Sequence, residues 1–167
     1  DLGEKINKAR TKLISEAEGY VLSVSKELLG EGLKIRYIKG WEEETYLKSL
    51  EENINKDIVM KRTSSGPQKD DFKLMSQEKK TKGYYSHGQE KMASISFMVA
   101  LNLAVEKRKK NKSIIIIDEA ESGLDEGSIE KVIKTIKSLN NQILITSLPH
   151  HKIVKKINGN ILNAIQK

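Results

Sequence analysis

The sequence contains no cysteine, which removes two classes at once: a disulfide framework and a Cys-based zinc site. Three histidines are few for any other metal centre. Aromatic residues make up only 5% of the chain. Trp41 and the pair Tyr84-Tyr85 sit in no RNA-recognition pattern, so they read as packing groups rather than base-stacking platforms. No apolar run reaches the ~20 residues that span a bilayer; the longest, Met92 to Val105, is interrupted by Ser94, Ser96 and Asn102. Nothing has the form of a secretory signal, so the expected compartment is the cytoplasm, with no membrane partner. The most consequential absence is a phosphate-cradling Gly-x-x-x-x-Gly-Lys-Ser/Thr loop, since Gly30-Glu31-Gly32 and Gly123 to Gly127 lack both the lysine and the spacing.

The 167 residues fit one domain. With 37% apolar and 32% charged residues, the core must be concentrated in a few segments. Thirty Lys+Arg against 23 Asp+Glu give a net charge of +7, which favours a polyanionic partner such as nucleic acid or nucleotide. The chain opens at Asp1, without methionine and on sequence of mid-helix character, and it reads as an excised fragment.

Apolar residues from Leu2 to Leu29 recur at three- and four-residue steps, the period of an amphipathic helix, which Gly30 and Gly32 end. Leu33 to Ile38 alternates like a half-buried strand, and a second helix is expected around Glu43 to Asn55. After the turn residues Thr63 to Pro67, Phe72-Lys73-Leu74-Met75 and Tyr84-Tyr85 are expected to pair as short strands. Gln89 to Arg108 forms a buried helix that leaves the core through a basic end. Ile114 to Ile117, the helical spacing of Glu126 to Leu139, and Gln142 to Thr146 make a right-handed parallel crossover. Ile153 to Ile165 reads as a terminal hairpin on the Asn158-Gly159 turn.

The isoleucine strand carries the chemistry. Four isoleucines, expected to be buried on both faces, deliver Asp118 and Glu119 at the strand's carboxyl end, where nucleotide sites of parallel sheets lie. Asp118 is placed to serve Mg²⁺, which takes few protein ligands, and Glu119 to polarise an attacking water. An ordinary buried strand running into an acidic turn is the bland alternative. Ser86-His87-Gly88-Gln89-Glu90 precedes the buried helix, and its small residues let backbone N–H groups and a hydroxyl approach phosphate at a helix amino end. Its bland alternative is an N-cap serine with Glu90 completing a capping box. The basic run Lys107 to Lys112 reads either as a solvated helix end or as a phosphate contact on duplex DNA.

The order of these strings is that of the carboxyl-terminal lobe of ABC-type ATPase heads: signature, buried helix, Walker B, then Ser122-Gly123-Leu124-Asp125 as the D-loop. Ser65-Gly66-Pro67-Gln68-Lys69-Asp70-Asp71-Phe72 resembles the Gly-Pro-His-Arg-Asp-Asp segment of the RecF family of DNA recombination and repair ATPases, relatives of SMC heads. Ser86 to Lys91 is similar to that family's Ser-Gln-Gly-Gln-Gln-Arg, and Ile117 to Asp125 to its Leu-Asp-Asp-Val-Leu-Ser-Glu-Leu-Asp. Departures are Gln68-Lys69 for His-Arg, His87 for glutamine, and Glu119 where many members carry aspartate.

The resemblance implies an α/β fold: a short, mostly parallel sheet flanked by helices, a long N-terminal helix and a terminal β-hairpin. Residues 1–62 would be a helical arm and the start of the lobe, and residues 63–167 the signature and Walker B lobe. It implies ATP and Mg²⁺ as cofactors, Glu119 as catalytic base, Asp118 for Mg²⁺, and Ser86, Gly88 and Gln89 touching ATP in trans. Asp125 would be a D-loop residue at the dimer interface and Ser147 would occupy the switch position, with His150 and His151 nearby. The implied partners are DNA, a Walker A-bearing N-terminal lobe, a second head in a head-to-tail homodimer formed with ATP, and recombination mediator proteins. ATP closes the dimer on DNA and hydrolysis releases it. Two alternatives stay open. An SMC-like or break-repair head would show heptads upstream of Asp1, and a non-hydrolysing DNA- or partner-binding module would show no turnover when given a Walker A-bearing partner.

Overall fold

A computed structural model describes residues 2–77, 79–147 and 160. The amphipathic opening segment forms α1, Leu2–Leu29, and ends at Gly30, whose φ of +82° closes the helix in a conformation that favours glycine. Its buried Ser25 accepts the amide of Leu33 at 2.8 Å, turning the chain into β1, Lys34–Ile38. The second helix, α2, runs Tyr46–Met60, a turn beyond the expected end, because Lys61 supplies a left-handed cap at φ 52°. A single 3-10 turn, Pro67–Lys69, leads to β2, Asp71–Ser76.

β2 pairs antiparallel with β1, Ile35 facing Leu74, and with the two-residue β3, Lys79–Lys80. The expected pairing of Phe72–Met75 with Tyr84-Tyr85 is therefore not made. Tyr84 and Tyr85 instead form a turn, both amides donating to the Thr81 carbonyl. The reason is local: the chain must reverse there to start α3 at His87, and the buried end of that turn is held by the Tyr85 hydroxyl donating to Glu31.

The long helix α3, His87–Lys109, packs along α1, and Val21, Leu33, Leu74, Ala93, Phe97 and Ala100 form one core between helices and sheet. Then β4, Ile114–Ile117, α4, Glu126–Lys137, and β5, Gln142–Ile145, build the expected parallel crossover, with Ile115 beside Ile143. Beside this parallel pair the three-stranded antiparallel sheet is a separate sheet, so the strands form two small sheets flanked by helices. A buried carboxylate fixes the base of the crossover. Glu106 at the end of α3 accepts from the Ser113 amide and hydroxyl and from Asn141, and pairs with Lys112 at 3.1 Å. Burial alone would raise its pKa; those donors outweigh it and hold the carboxyl far below the usual range.

A second expectation fails as well. β4 is buried on one face only: Ile115 and Ile117 pack toward α3 and α4, while Ile114 and Ile116 are 58% and 70% exposed and Leu144 of β5 is 50% exposed. The described helices cover a single face of β4–β5, so strict alternation decides which isoleucines are wet. The expected terminal hairpin lies outside the described residues. No helix among the described residues is long and apolar enough to cross a membrane.

Candidate functional site

Asp118 and Glu119 emerge exposed at the carboxyl end of β4. Thr146, the first residue after β5, organises both: its hydroxyl donates to Asp118 Oδ1 and accepts the Glu119 amide at 2.9 Å. Its own amide donates to the Ile117 carbonyl at 3.0 Å, so the parallel register continues to the site. Glu119 leaves the strand at φ 45°, a left-handed conformation that costs a non-glycine residue about 1–2 kcal/mol. A strained glutamate at a strand end is where a functional constraint is sought first. Sequence reading did not single out Thr146; Ser147, expected at the switch position, donates its hydroxyl to Glu121 at 3.1 Å. The alternation along β5 was the available signal, because it places 146 and 147 on opposite sides.

Ser86 is the N-cap of α3. Its hydroxyl accepts the Gln89 amide at 3.4 Å, and Gln89 Oε1 accepts the Ser86 amide at 2.9 Å. The capping box thus uses Gln89, three residues on, rather than Glu90, which accepts the Gly83 amide instead. The cap occupies acceptors only. The Ser86 O–H and the Gln89 carboxamide N–H groups make no hydrogen bond among the described residues, and they lie at a positive helix end.

Signature and D-loop touch each other directly. A Cβ on Gly88 would lie 2.9 Å from the Gly123 carbonyl oxygen, and one on Gly123, at φ +72°, would lie 2.9 Å from the His87 ring. Lys91, one turn into α3, donates to the carbonyls of Glu119 at 2.9 Å and Ser122 at 2.7 Å. It ties the signature helix to the loop after β4, and only the resemblance of its string to one ending in arginine hinted at it. Asp125 caps α4, accepting from the amide of Ser128 at 2.9 Å and its hydroxyl at 2.8 Å, and those bonds hold its carboxyl below the usual value. His150 and His151 lie outside the described residues.

A second constellation explains the Gly-Pro-Gln-Lys-Asp string. Gly66, at φ +133°, donates its amide to the Gly40 carbonyl, and a Cβ on Gly40 would lie 2.1 Å from the Gly66 oxygen. Asp70 closes this crossing, accepting from Arg10 at 2.6 Å, Tyr37 at 2.5 Å and the Gly40 amide at 2.7 Å. Burial pushes the carboxyl's pKa up, but the three donors outweigh it and the net shift is downward. Tyr37, desolvated and donating to that carboxylate, is pushed up to about 12. Asp70 is thus a structural pin, and Gln68 and Lys69 stand exposed at the loop it holds.

Among the described residues no three His, Asp or Glu side chains converge as a metal-binding group. A single carboxylate oriented by a hydroxyl, beside a second carboxylate, fits an ion that keeps most of its waters.

The fold defines the class: an α/β lobe of two small sheets flanked by helices, with a long N-terminal helix. More particularly the chain is RecF-like, similar to the carboxyl-terminal region of ABC-type ATPases of that kind. It is 33% identical over 150 residues to the DNA replication and repair protein RecF of Pseudoalteromonas translucida (strain TAC 125), which covers 88% of this chain and 41% of that protein. It is 25% identical over 169 residues to the RecF of Vibrio vulnificus (strain YJ016), covering 99% of this chain and 47% of that protein. Its fold matches a solved structure of the recombination mediator protein RecF-ATP with a TM-score of 0.69, over 89% of this chain and 42% of that chain at 19% identity. No protein-family model matches the chain. The chain spans less than half the length of the curated relatives it matches.

Proposed function

We propose that this chain is the signature and Walker B half of a RecF-like, ATP-dependent DNA-binding repair ATPase that works in the cytoplasm. The observation that carries the reading is the direct packing of the signature turn on the D-loop, Gly88 against Gly123, with Lys91 bound to the loop that holds Glu119. One rigid surface thereby presents two sets of groups. Asp118 and Glu119 serve the nucleotide held by this head's own Walker A lobe, while Ser86, Gly88 and Gln89 offer N–H and O–H donors to the nucleotide of a second head placed head to tail.

In this reading Glu119 takes the proton of the attacking water, its left-handed backbone held by Thr146 at the amide and by Lys91 at the carbonyl. Asp118, oriented by Thr146, would hold Mg²⁺, which when bound would supply positive charge against the phosphates. Asp125 sits at the dimer interface and Ser147 at the switch position beside the nucleotide. Residues 1–62 and 63–167 differ in role, arm against catalytic lobe, although they share a core through α1 and α3 and a sheet through β1 and β2.

The exposed Ile114, Ile116 and Leu144 support the same reading, since an apolar sheet face this open marks a contact surface, here for the Walker A-bearing lobe. Recombination mediator proteins are partners of the whole assembly. The test is Glu119→Gln in the protein carrying both lobes: ATP binding is retained, the dimer lives longer and turnover is lost. Wild-type turnover in that variant removes Glu119 from its role.

A further inference from the structure

The antiparallel sheet has one face in the core and one in water, and the wet face is basic. Ile35 and Leu74 pack inward with Val21 and Phe97, so by alternation Lys34, Arg36, Lys73 and Lys80 share the outward face. The register makes the crowding explicit: Arg36 lies directly opposite Lys73 across β1–β2, and Lys34, Met75 and Lys80 form the next row. Like charges placed directly across an antiparallel pair oppose each other and destabilise the sheet. Lys73 registers the conflict. Contact with Lys80, then its charge and partial burial, with Arg36 adding to them, lower the ammonium's pKa, and only Asp71 acts against this.

None of the ion pairs among the described residues includes Arg36, Lys73 or Lys80. The basic run at the end of α3 differs: there Arg108 is paired with Glu16 at 3.6 Å and Lys112 with Glu106 at 3.1 Å. Three cations set against one another on an open sheet face, none of them in an ion pair, form a surface suited to an anionic partner.

We propose that the outward face of the β1–β2–β3 sheet binds the phosphate backbone of duplex DNA, with Arg36, Lys73 and Lys80 as the contacting cations. The choice of DNA as the polyanion rests on the function proposed above. The choice of duplex backbone rests on the face itself. Its apolar members are Ile38 and Met75, whereas the aromatic residues Tyr37 and Phe72 lie on the opposite face, so it offers no platform on which unpaired bases stack. Residues two apart on a strand are about 7 Å apart and neighbouring strands about 5 Å, so the cluster spans the width of two or three phosphates of one DNA strand.

The experiment measures binding of this chain to a duplex oligonucleotide across a salt series, without nucleotide or partner lobe, so that its outcome is independent of the ATP site. Three proteins are compared: wild type, the triple variant Arg36→Gln, Lys73→Gln, Lys80→Gln, and a control of equal charge change, Lys107→Gln, Lys109→Gln, Lys110→Gln. The sheet-face variant is expected to bind about tenfold to hundredfold more weakly, with a log–log salt slope flatter by about 2 to 3. Its thermal midpoint is expected to equal or exceed that of wild type, because like-charge crowding is relieved, which a merely structural set of cations would not give. The control is expected to bind within about threefold of wild type. Unchanged binding by the sheet-face variant, or a larger loss in the control, overturns the placement and leaves the proposed function standing. No binding by the wild-type chain at low salt overturns both the placement and the reading of this chain as a DNA-binding lobe.

Discussion

Replacing Asp70 by alanine withdraws the shared acceptor from three donors on different segments: Arg10 of α1, Tyr37 of β1 and the Gly40 amide. The carboxylate is nearly buried, with 4% of its side chain exposed, while Arg10 is 47% exposed. The Arg10 pair is therefore screened and contributes about 0.2–1 kcal/mol. The bonds from Tyr37 and Gly40 to a charged acceptor contribute about 1.5–3 kcal/mol each, and their loss strands part-buried donors. The expected destabilisation is about 3–5 kcal/mol, which in a domain of this size lowers the thermal midpoint by about 10 °C.

Urea unfolding at neutral pH measures this, and acid titration checks its electrical part. The folded-state pKa of Asp70 is depressed, so its contribution is complete above the unfolded value of about 3.9 and disappears as pH falls through the folded value. Asp70→Asn, which keeps an acceptor but no charge, should accordingly be less stable than wild type at pH 7 and approach it in acid. A loss below about 1 kcal/mol for Asp70→Ala would refute the view that the Gly-Pro-Gln-Lys-Asp loop is pinned through this carboxylate.

Gly88→Ala brings a Cβ to 2.9 Å from the Gly123 carbonyl. It should therefore separate signature from D-loop and abolish turnover in the two-lobed protein while shifting thermal unfolding of this chain by only a few degrees. Lys91→Met removes both carbonyl contacts and should lower kcat more than nucleotide affinity, read by steady-state turnover beside nucleotide titration; Lys91→Arg should restore part of it. Ile114→Thr with Ile116→Thr, on the exposed strand face, should leave the chain's thermal midpoint nearly unchanged and weaken its association with a Walker A-bearing lobe, measured by calorimetry. Tyr85, pushed up to about 12 by burial and by its bond to Glu31, favours its neutral form in the fold. That stability is complete below about pH 10 and is lost as pH rises through about 12, so Tyr85→Phe should flatten alkaline unfolding.

Helices with strong periodicity and the parallel crossover were legible because burial on one face writes a period into the sequence. α1, α3 and the β4–α4–β5 unit all declare themselves that way. The partner of Phe72–Met75 was not legible. An alternating strand states that it has a wet face but not which strand lies beside it, and β1 is distant in sequence. The four isoleucines misled for a related reason: identical residues carry no alternation, so the exposed Ile114 and Ile116 could not be told from the packed Ile115 and Ile117.

At the candidate site, Asp118, Glu119, Ser86, Gly88 and Gln89 were chosen by type and order, and their nucleotide roles belong to the proposed function. Their organisers could not, because Thr146 and Lys91 act through single long-range hydrogen bonds that leave no spacing behind. Glu106 and Asp70 were hidden likewise, each being a buried carboxylate defined by donors from distant segments.

The central claim is that Ser86 and Glu119 of one chain serve two different nucleotides. Mixing two inactive forms of the two-lobed protein, Ser86→Arg and Glu119→Gln, tests it most directly. In a two-fold dimer, half of the assemblies are mixed and each mixed pair holds one site with both residues intact, so turnover should recover to about one quarter of the wild-type rate per head. No recovery, with mixed dimers shown to form, would place both residues at the same nucleotide and contradict the account.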